Sequence, residues 1–295
     1  MASEGDKMKI LEVSHLSKHY PTFDLSDVSF FLETGRIMGF IGRNGAGKTT
    51  TLKCIYNLIS PTSGTILYRG QSILKDEALF KSEIGLLFGE IDYYPNKAVK
   101  VMTEVTSRFY PNWDHKLYAQ YISDFGIVES KKIKELSTGM KVKYGLALAL
   151  SHGAKVLLLD EPTSGLDPVS RDELLDIFIK IVSDGEHAIL FSTHVISDLE
   201  KCADDITYIQ KGKILVNETV PSFEKQYVHF EGEAASLTPE IRSRLIHVRE
   251  HAGKYEAVGT TEGGLEIAGA TKTQASLEEI MIALERGKED EKPAL

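Results

Sequence analysis

Residues Gly42 to Thr49 read Gly-Arg-Asn-Gly-Ala-Gly-Lys-Thr and fit the pattern G-x-x-x-x-G-K-[ST]. The glycines let the backbone bend until several N–H groups point at one anion. A short apolar run, Arg36 to Ile41, leads into the loop, and Lys48 to Lys53 leaves it as a helix. The loop therefore feeds a helix N-terminus, whose partial positive charge favours phosphate. Lys48 is placed to reach β- and γ-phosphates, and Thr49 to offer its hydroxyl to Mg²⁺. Strands alternating with helices along the rest of the chain indicate an α/β fold with a mostly parallel sheet.

The chain keeps that rhythm to about residue 220. Ile10 to Tyr20 and Val28 to Leu32 alternate apolar and polar residues and read as edge-type strands. Glu33-Thr34-Gly35 and Pro61-Thr62-Ser63-Gly64 are turn signals, the second preceding a strand at Thr65 to Tyr68. Val156 to Leu159 is fully apolar, as in a strand covered on both faces. Ser170 to Val182 reads as a helix, His187 to Ser192 as a strand and Val195 to Cys202 as a helix. From Pro95 to Leu136 helical periodicity appears, with Phe109, Tyr110, Trp113, Tyr118, Tyr121 and Phe125, which marks an inserted helical subdomain. Past Val220-Pro221 the pattern changes to a small mixed appendage. There Gly259, Gly263, Gly264 and Gly269 punctuate short strands, and Ser276 to Arg286 forms a helix. The charged tail, Gly287 to Leu295, is expected to be disordered.

The net charge of −9 argues against nucleic acid as the main partner, because such partners select a basic surface. No apolar run reaches the roughly 18 residues that a membrane span requires. Met1 to Lys9 is polar and lacks the apolar centre of a signal peptide. Any membrane crossing is thus expected from another chain. Cys54 and Cys202 are too few for a disulfide framework and have no metal spacing, so they read as packed thiols in a reducing cytosol.

Four further segments bear on chemistry. The strand Val156 to Leu159 ends in Asp160-Glu161. Asp160 is placed there to hold Mg²⁺, and Glu161 to polarise a water as general base. Leu136-Ser137-Thr138-Gly139-Met140 opens the apolar helix Val142 to Leu150. Ser137 and the Gly139 backbone there can face a phosphate, although Ser137 taken alone reads as a helix cap. Asp167 in Ser164-Gly165-Leu166-Asp167, taken alone, reads as a turn residue or cap, and His194 after a strand as a surface histidine.

The order of these pieces decides between the readings. P-loop, Leu-Ser-x-Gly, apolar strand with Asp-Glu, Ser-Gly-Leu-Asp and Ser-Thr-His resembles the ATPase subunit of ABC transporters over roughly residues 8 to 220. The resemblance implies a P-loop NTPase of ABC type in residues 1–220, with an edge antiparallel β-subdomain and a helical subdomain at about 90–150. Residues 221–295 are then a C-terminal accessory domain. It implies ATP held by Gly42, Asn44, Gly45, Ala46, Gly47, Lys48, Thr49 and Thr50, with Tyr20 stacked on adenine. Thr49 and Asp160 would serve Mg²⁺, Glu161 would be the catalytic base, and His194 would contact the γ-phosphate alongside Lys48. Ser137 and Gly139 would face the nucleotide of a second ATPase protomer, in a homo- or heterodimer, and Asp167 would communicate across that dimer. A separate transmembrane permease subunit would dock on the helical insertion, with Tyr93 and Tyr94 among the candidate contacts, and hold the chain at the cytoplasmic face of the membrane.

Two positions depart from the family pattern. Gly89 stands near the slot of a customary glutamine and offers no side-chain ligand, which leaves Glu90 or water to fill it. Thr138 and Met140 stand where many members carry Gly and Gln, and this form resembles ABC-2 type exporters, including bacterial peptide and antibiotic efflux pumps. The rival reading is a soluble, non-transport ABC ATPase. Such repair factors carry long coiled coils and such translation factors two ATPase domains, whereas this chain has one P-loop and no sustained heptads.

Overall fold

A computed structural model describes residues 8–89 and 94–287. Its contacts divide the chain into two compact units, with the boundary between Asn217 and Glu218. The first unit begins with β1 (Lys9–Tyr20), β2 (Phe23–Glu33) and β3 (Ile37–Ile41), followed by α1 (Lys48–Ile55). β4 (Ser63–Tyr68), β5 (Gln71–Ser72), α2 (Glu77–Ser82) and β6 (Ile84–Phe88) come next. α3 (Val99–Ser107), α4 (His115–Asp124) and α5 (Thr138–Ser151) then lead to β7 (Val156–Asp160) and α6 (Pro168–Val182). The unit closes with β8 (Ala188–Thr193), α7 (Ile196–Cys202), β9 (Asp205–Gln210) and β10 (Lys213–Thr219), which runs across the boundary.

Two sheets organise this unit. One is a four-stranded sheet of order β2-β1-β4-β5, antiparallel throughout. The other has six strands in the order β10-β9-β3-β8-β7-β6. Within it β3 pairs in parallel with both β8 and β9, and β7 with both β8 and β6. Strands buried on both faces read as unbroken apolar runs, and β3, β8 and β7 (to Leu159) are buried at every residue or nearly so. β2 begins five residues earlier than the alternation at Val28 to Leu32 suggests, because Phe23 and Asp24 pair with Tyr20 and His19 across a tight hairpin. β9 and β10 carry no strong sequence signal, and pairing with β3 gives β9 its place.

The helical insertion has its own core, which includes Val99, Tyr118, Ile122, Ile133, Leu136 and Tyr144. Trp113, Tyr121 and Phe125 pack on it. At its centre the Thr103 hydroxyl hydrogen-bonds the Tyr118 hydroxyl at 2.7 Å and that of Tyr144 at 3.0 Å. The aromatics that stood as candidate docking contacts therefore divide. Trp113, Tyr118, Tyr121 and Phe125 fill or pack on this core, whereas Phe109 and Tyr94 are exposed. Tyr93 and Glu90 lie outside the described residues. Of the lysines around the Leu136–Met140 segment, Lys131, Lys132 and Lys134 are exposed, Lys141 is buried, and Lys143 pairs with Glu173 at 2.8 Å.

Tyr110 stacks on His152 with ring centroids 4.0 Å apart, and His152 Nδ1 lies 3.0 Å from the Ser82 carbonyl oxygen. Burial holds the His152 imidazole below its ordinary value, so the folded protein favours the neutral ring. As pH falls below about 6.5 the unfolded chain binds a proton that the folded chain resists, and stability drops. We expect the melting temperature to fall between pH 7 and 5 in the wild type and to fall less steeply in His152→Gln, as read by thermal unfolding across that range. Burial likewise raises the Cys54 thiol to about 11 and that of Cys202 to about 12, as fits packed, unreactive thiols.

The second unit contains α8 (Val220–Glu224), β11 (Tyr227–Glu233), α9 (Pro239–Ser243), β12 (Leu245–His251), β13 (Lys254–Thr260), β14 (Thr271–Gln274) and α10 (Leu277–Arg286). Its antiparallel sheet has the order β12-β13-β11-β14 and a core that includes Val228, Phe230, Tyr255 and Ala257. Ser276 and Glu279 cap α10 reciprocally. Gly259 does not separate strands as its sequence context suggests. It lies inside β13, where an added Cβ would sit 3.2 Å from Leu245 and 3.3 Å from Phe230. Among the described residues no helix is long and apolar enough to cross a membrane.

Candidate functional site

Parallel strands present their carboxyl ends at one edge, and ligands bind there in sheets of this kind. The register makes this specific. Ile41 at the end of β3 lies opposite Thr193 of β8, and Asp160 of β7 lies opposite Ser192. The Gly42–Thr49 loop, the Asp160-Glu161 pair and His194 thus leave the sheet side by side.

The loop is built around two backbone requirements. Gly47 caps α1 with φ 117°, a conformation that L side chains rarely adopt, and no side chain caps the helix in its place. The free N–H groups of that first turn are left to an anion. Gly42 instead faces a close approach, since an added Cβ would lie 2.4 Å from the Ile209 carbonyl oxygen. Gly42→Ala must push backbone aside, at a cost of about 1–3 kcal/mol for overpacking. For a unit of this size that lowers the melting temperature by about 2–12 °C, which calorimetry on the full chain reads directly.

Lys48 is buried, and its ammonium donates to the Gly42 carbonyl oxygen at 2.6 Å. It also lies 3.1 Å from Glu161 Oε1. Thr49 donates from Oγ1 to Asp160 Oδ2 at 2.7 Å, and Ser192 from Oγ to Asp160 Oδ1 at 2.5 Å. Glu161 has φ 52°, in the left-handed region, where a residue with a Cβ carries strain of roughly 1–2 kcal/mol. Its N–H donates to the Ser192 hydroxyl at 3.0 Å, and its Oε2 lies 2.7 Å from His194 Nδ1. The turn therefore aims the Glu161 carboxylate between a lysine and a histidine, at the mouth of the anion loop.

These groups open on a cleft of about 490 Å³. Asn44, Gly45, Gly47, Lys48, Thr49, Thr50 and Glu161 line it, as does Arg43. Thr22 and Phe23 also line it, from the β1–β2 hairpin, whereas Tyr20 does not. The Tyr20 ring instead lies 5.4 Å from the Lys18 ammonium. The wall comes from the two residues beyond Pro21 and not from the tyrosine before it. Ser192, whose hydroxyl joins Asp160 to the Glu161 N–H, carries no sequence signal beyond its place in Ser-Thr-His.

Thr49 and Asp160 suit Mg²⁺. Both offer hard oxygen donors, and their 2.7 Å separation is close to the roughly 2.9 Å edge of an octahedron with bonds of 2.0–2.1 Å. Among the described residues no three His, Cys, Asp or Glu side chains could hold a metal by themselves. An ion here would share its coordination with phosphate oxygens and water, as Mg²⁺ usually does.

Ser137, Gly139 and Asp167 do not line this cleft. Ser137 caps α5, its Oγ accepting from the Met140 N–H at 3.2 Å. Asp167 caps α6, accepting from the N–H groups of Val169 and Ser170 at 3.0 Å each and from the Ser170 hydroxyl at 2.6 Å. Those bonds, the hydroxyl's first, hold its carboxylate below the ordinary value. Gly139 packs beside Ser170 and Leu166, which brings the start of α5 against the Asp167 turn.

Comparison with known proteins agrees with this geometry. The model of the ABC transporter family matches residues 25–164. The ABC transporter ATP-binding protein YtrB of Bacillus subtilis (strain 168) is 31% identical over 235 residues, covering 79% of this chain and 80% of that protein. The bacitracin transport ATP-binding protein BcrA of Bacillus licheniformis is 28% identical over 298 residues, covering 93% and 97%. A solved ATP-binding subunit of an ABC transporter superposes with a TM-score of 0.66 at 25% identity, covering 74% of this chain and 92% of that one. The chain belongs to the ABC transporter family, as one of its ATP-binding proteins.

Proposed function

We propose that this chain binds ATP with Mg²⁺ and hydrolyses it, and that it does so in a dimer that drives a separate transmembrane subunit. The observation that carries the reading is the Glu161 carboxylate, held by Lys48 and His194 beside the Thr49–Asp160 pair. Lys48 and the loop N–H groups orient the triphosphate. Thr49 and Asp160 would hold Mg²⁺, which would supply charge neutralisation on the phosphate oxygens. Glu161 accepts the proton of the attacking water as general base. His194 keeps the carboxylate aimed and contacts the terminal phosphate. Ser137 and Gly139 contact the nucleotide of the opposing protomer, and Asp167 lies at the seam between the two.

Export is the direction we infer, with a peptide antibiotic as the cargo class. Support comes from Thr138 and Met140 in the Leu136–Met140 segment and from the coverage of the bacitracin transport relative. Two measurements test the reading. The purified chain should release phosphate from ATP only with Mg²⁺. A tagged chain recovered from detergent-solubilised membranes should retain a multi-span protein in near-equal amount. Recovery from the soluble fraction alone would favour the non-transport ATPase.

A further inference from the structure

Behind the site lies a carboxylate with no place in the chemistry described so far. Asp198 is fully buried in the first turn of α7. An ionised carboxylate at such a depth persists only when other groups compensate it. The Thr163 hydroxyl donates to Asp198 Oδ2 at 2.6 Å, and the Thr193 hydroxyl to the same oxygen at 3.4 Å. On the other side, Arg171 Nε of α6 stands 3.7 Å from Asp198 Oδ1, and neither of those two buried atoms is hydrogen-bonded.

Thr163 follows Glu161 by two residues, across Pro162, and Thr193 immediately precedes His194. Glu161 and His194 are themselves joined at 2.7 Å. A closed ring results: Asp198 to Thr163, along the chain to Glu161, across to His194, back to Thr193 and so to Asp198. Glu161 sits in this ring with a left-handed backbone, and such a conformation persists only where its surroundings over-determine it. Arg171 adds a third attachment, to the helix that Asp167 caps.

We propose that Asp198 is a positioning residue that ties the Glu161 turn to the His194 loop through Thr163 and Thr193. The base and the histidine then hold their geometry as one unit. Asp198 does not line the cleft, so it governs turnover rather than affinity. The inference rests on the ATPase reading above.

The test uses the full chain with three variants, measuring kcat and KM for Mg-ATP, binding of a non-hydrolysable ATP analogue, and melting temperature. Asp198→Asn keeps the shape and removes the charge. Thr163→Val removes the hydroxyl at nearly constant volume, and Thr163→Ser restores it. A displacement of about 1 Å in such a site costs up to about a hundredfold in rate. We expect Asp198→Asn and Thr163→Val each to lower kcat about tenfold to a hundredfold, with analogue affinity within about threefold of wild type. Thr163→Ser should recover most of the rate. The double variant Asp198→Asn/Thr163→Val should be little worse than either single one, because groups that act as a unit are not additive. Unchanged kcat in Asp198→Asn, or Thr163→Ser no faster than Thr163→Val, would overturn the proposal. So would loss of analogue affinity in step with kcat. If the wild type releases no phosphate, the ATPase reading fails and this inference with it; an active wild type beside unaffected variants sinks the inference alone.

Discussion

Glu161→Gln should bind ATP as wild type does, remain dimeric on it and turn over slowly. Glutamine keeps the length of the side chain and still fills the space between Lys48 and His194, so the cleft retains its shape. It cannot take the proton of an attacking water. General-base contributions amount to about 10²–10⁴ in rate, and kcat should fall by that range. The carboxylate also carries negative charge 3.1 Å from the lysine that faces the phosphates. Its removal leaves the triphosphate better placed, so affinity should hold or rise. With hydrolysis blocked, the state that closes on intact ATP accumulates. Light scattering at saturating Mg-ATP should read twice the monomer mass, against a monomer without nucleotide. A monomer under those conditions would sink the closing mechanism, and near-normal phosphate release would sink the role of Glu161.

The fold class and most of the site were legible in the sequence for one shared reason. The Gly42–Thr49 loop, the acid pair after Val156–Leu159 and the Ser192-Thr193-His194 run each sit at the end of an apolar strand, and parallel pairing gathers strand ends at one edge. Short-range pattern thus fixes long-range placement there. Legibility stopped where contacts are decided by tertiary packing. Nothing local distinguishes Phe23 from Tyr20 as the ring that lines the cleft, because the hairpin that turns one inward is set by cross-strand register. Nor does any local signal separate Trp113, packed in the helical core, from exposed Phe109 a few residues earlier. Asp198 was hidden for the same reason: its partners Thr163 and Thr193 are far apart in the chain and meet only when β7 and β8 lie adjacent. Ser137 and Asp167 are a different case. As single residues they read as helix caps, and capping is what their side chains do here.

Lys48→Ala should abolish useful nucleotide binding. The ammonium is buried and donates to the Gly42 carbonyl oxygen, so the loop is shaped around it. A hydrogen bond to a charged group contributes about 1.5–3 kcal/mol, and each 1.4 kcal/mol is about tenfold in affinity. Loss of the lysine's contacts to two phosphates therefore predicts at least about a hundredfold weaker binding. A second effect acts in the same direction. Without Lys48, Glu161 keeps its charge with His194 as its remaining partner, and that charge then repels the phosphates. Lys48→Met separates this loss from a packing defect, since it keeps the apolar stem while removing the charge. Both variants should lose affinity in a fluorescent-nucleotide titration, and Lys48→Met should melt closer to wild type than Lys48→Ala. Adding Glu161→Gln to Lys48→Met should then recover part of the lost affinity, because it removes the unbalanced carboxylate. Unchanged binding in the single variants would refute the phosphate assignment of the whole loop. Absence of recovery in the double variant would show that the 3.1 Å contact between Lys48 and Glu161 carries no electrostatic weight in the nucleotide-bound protein.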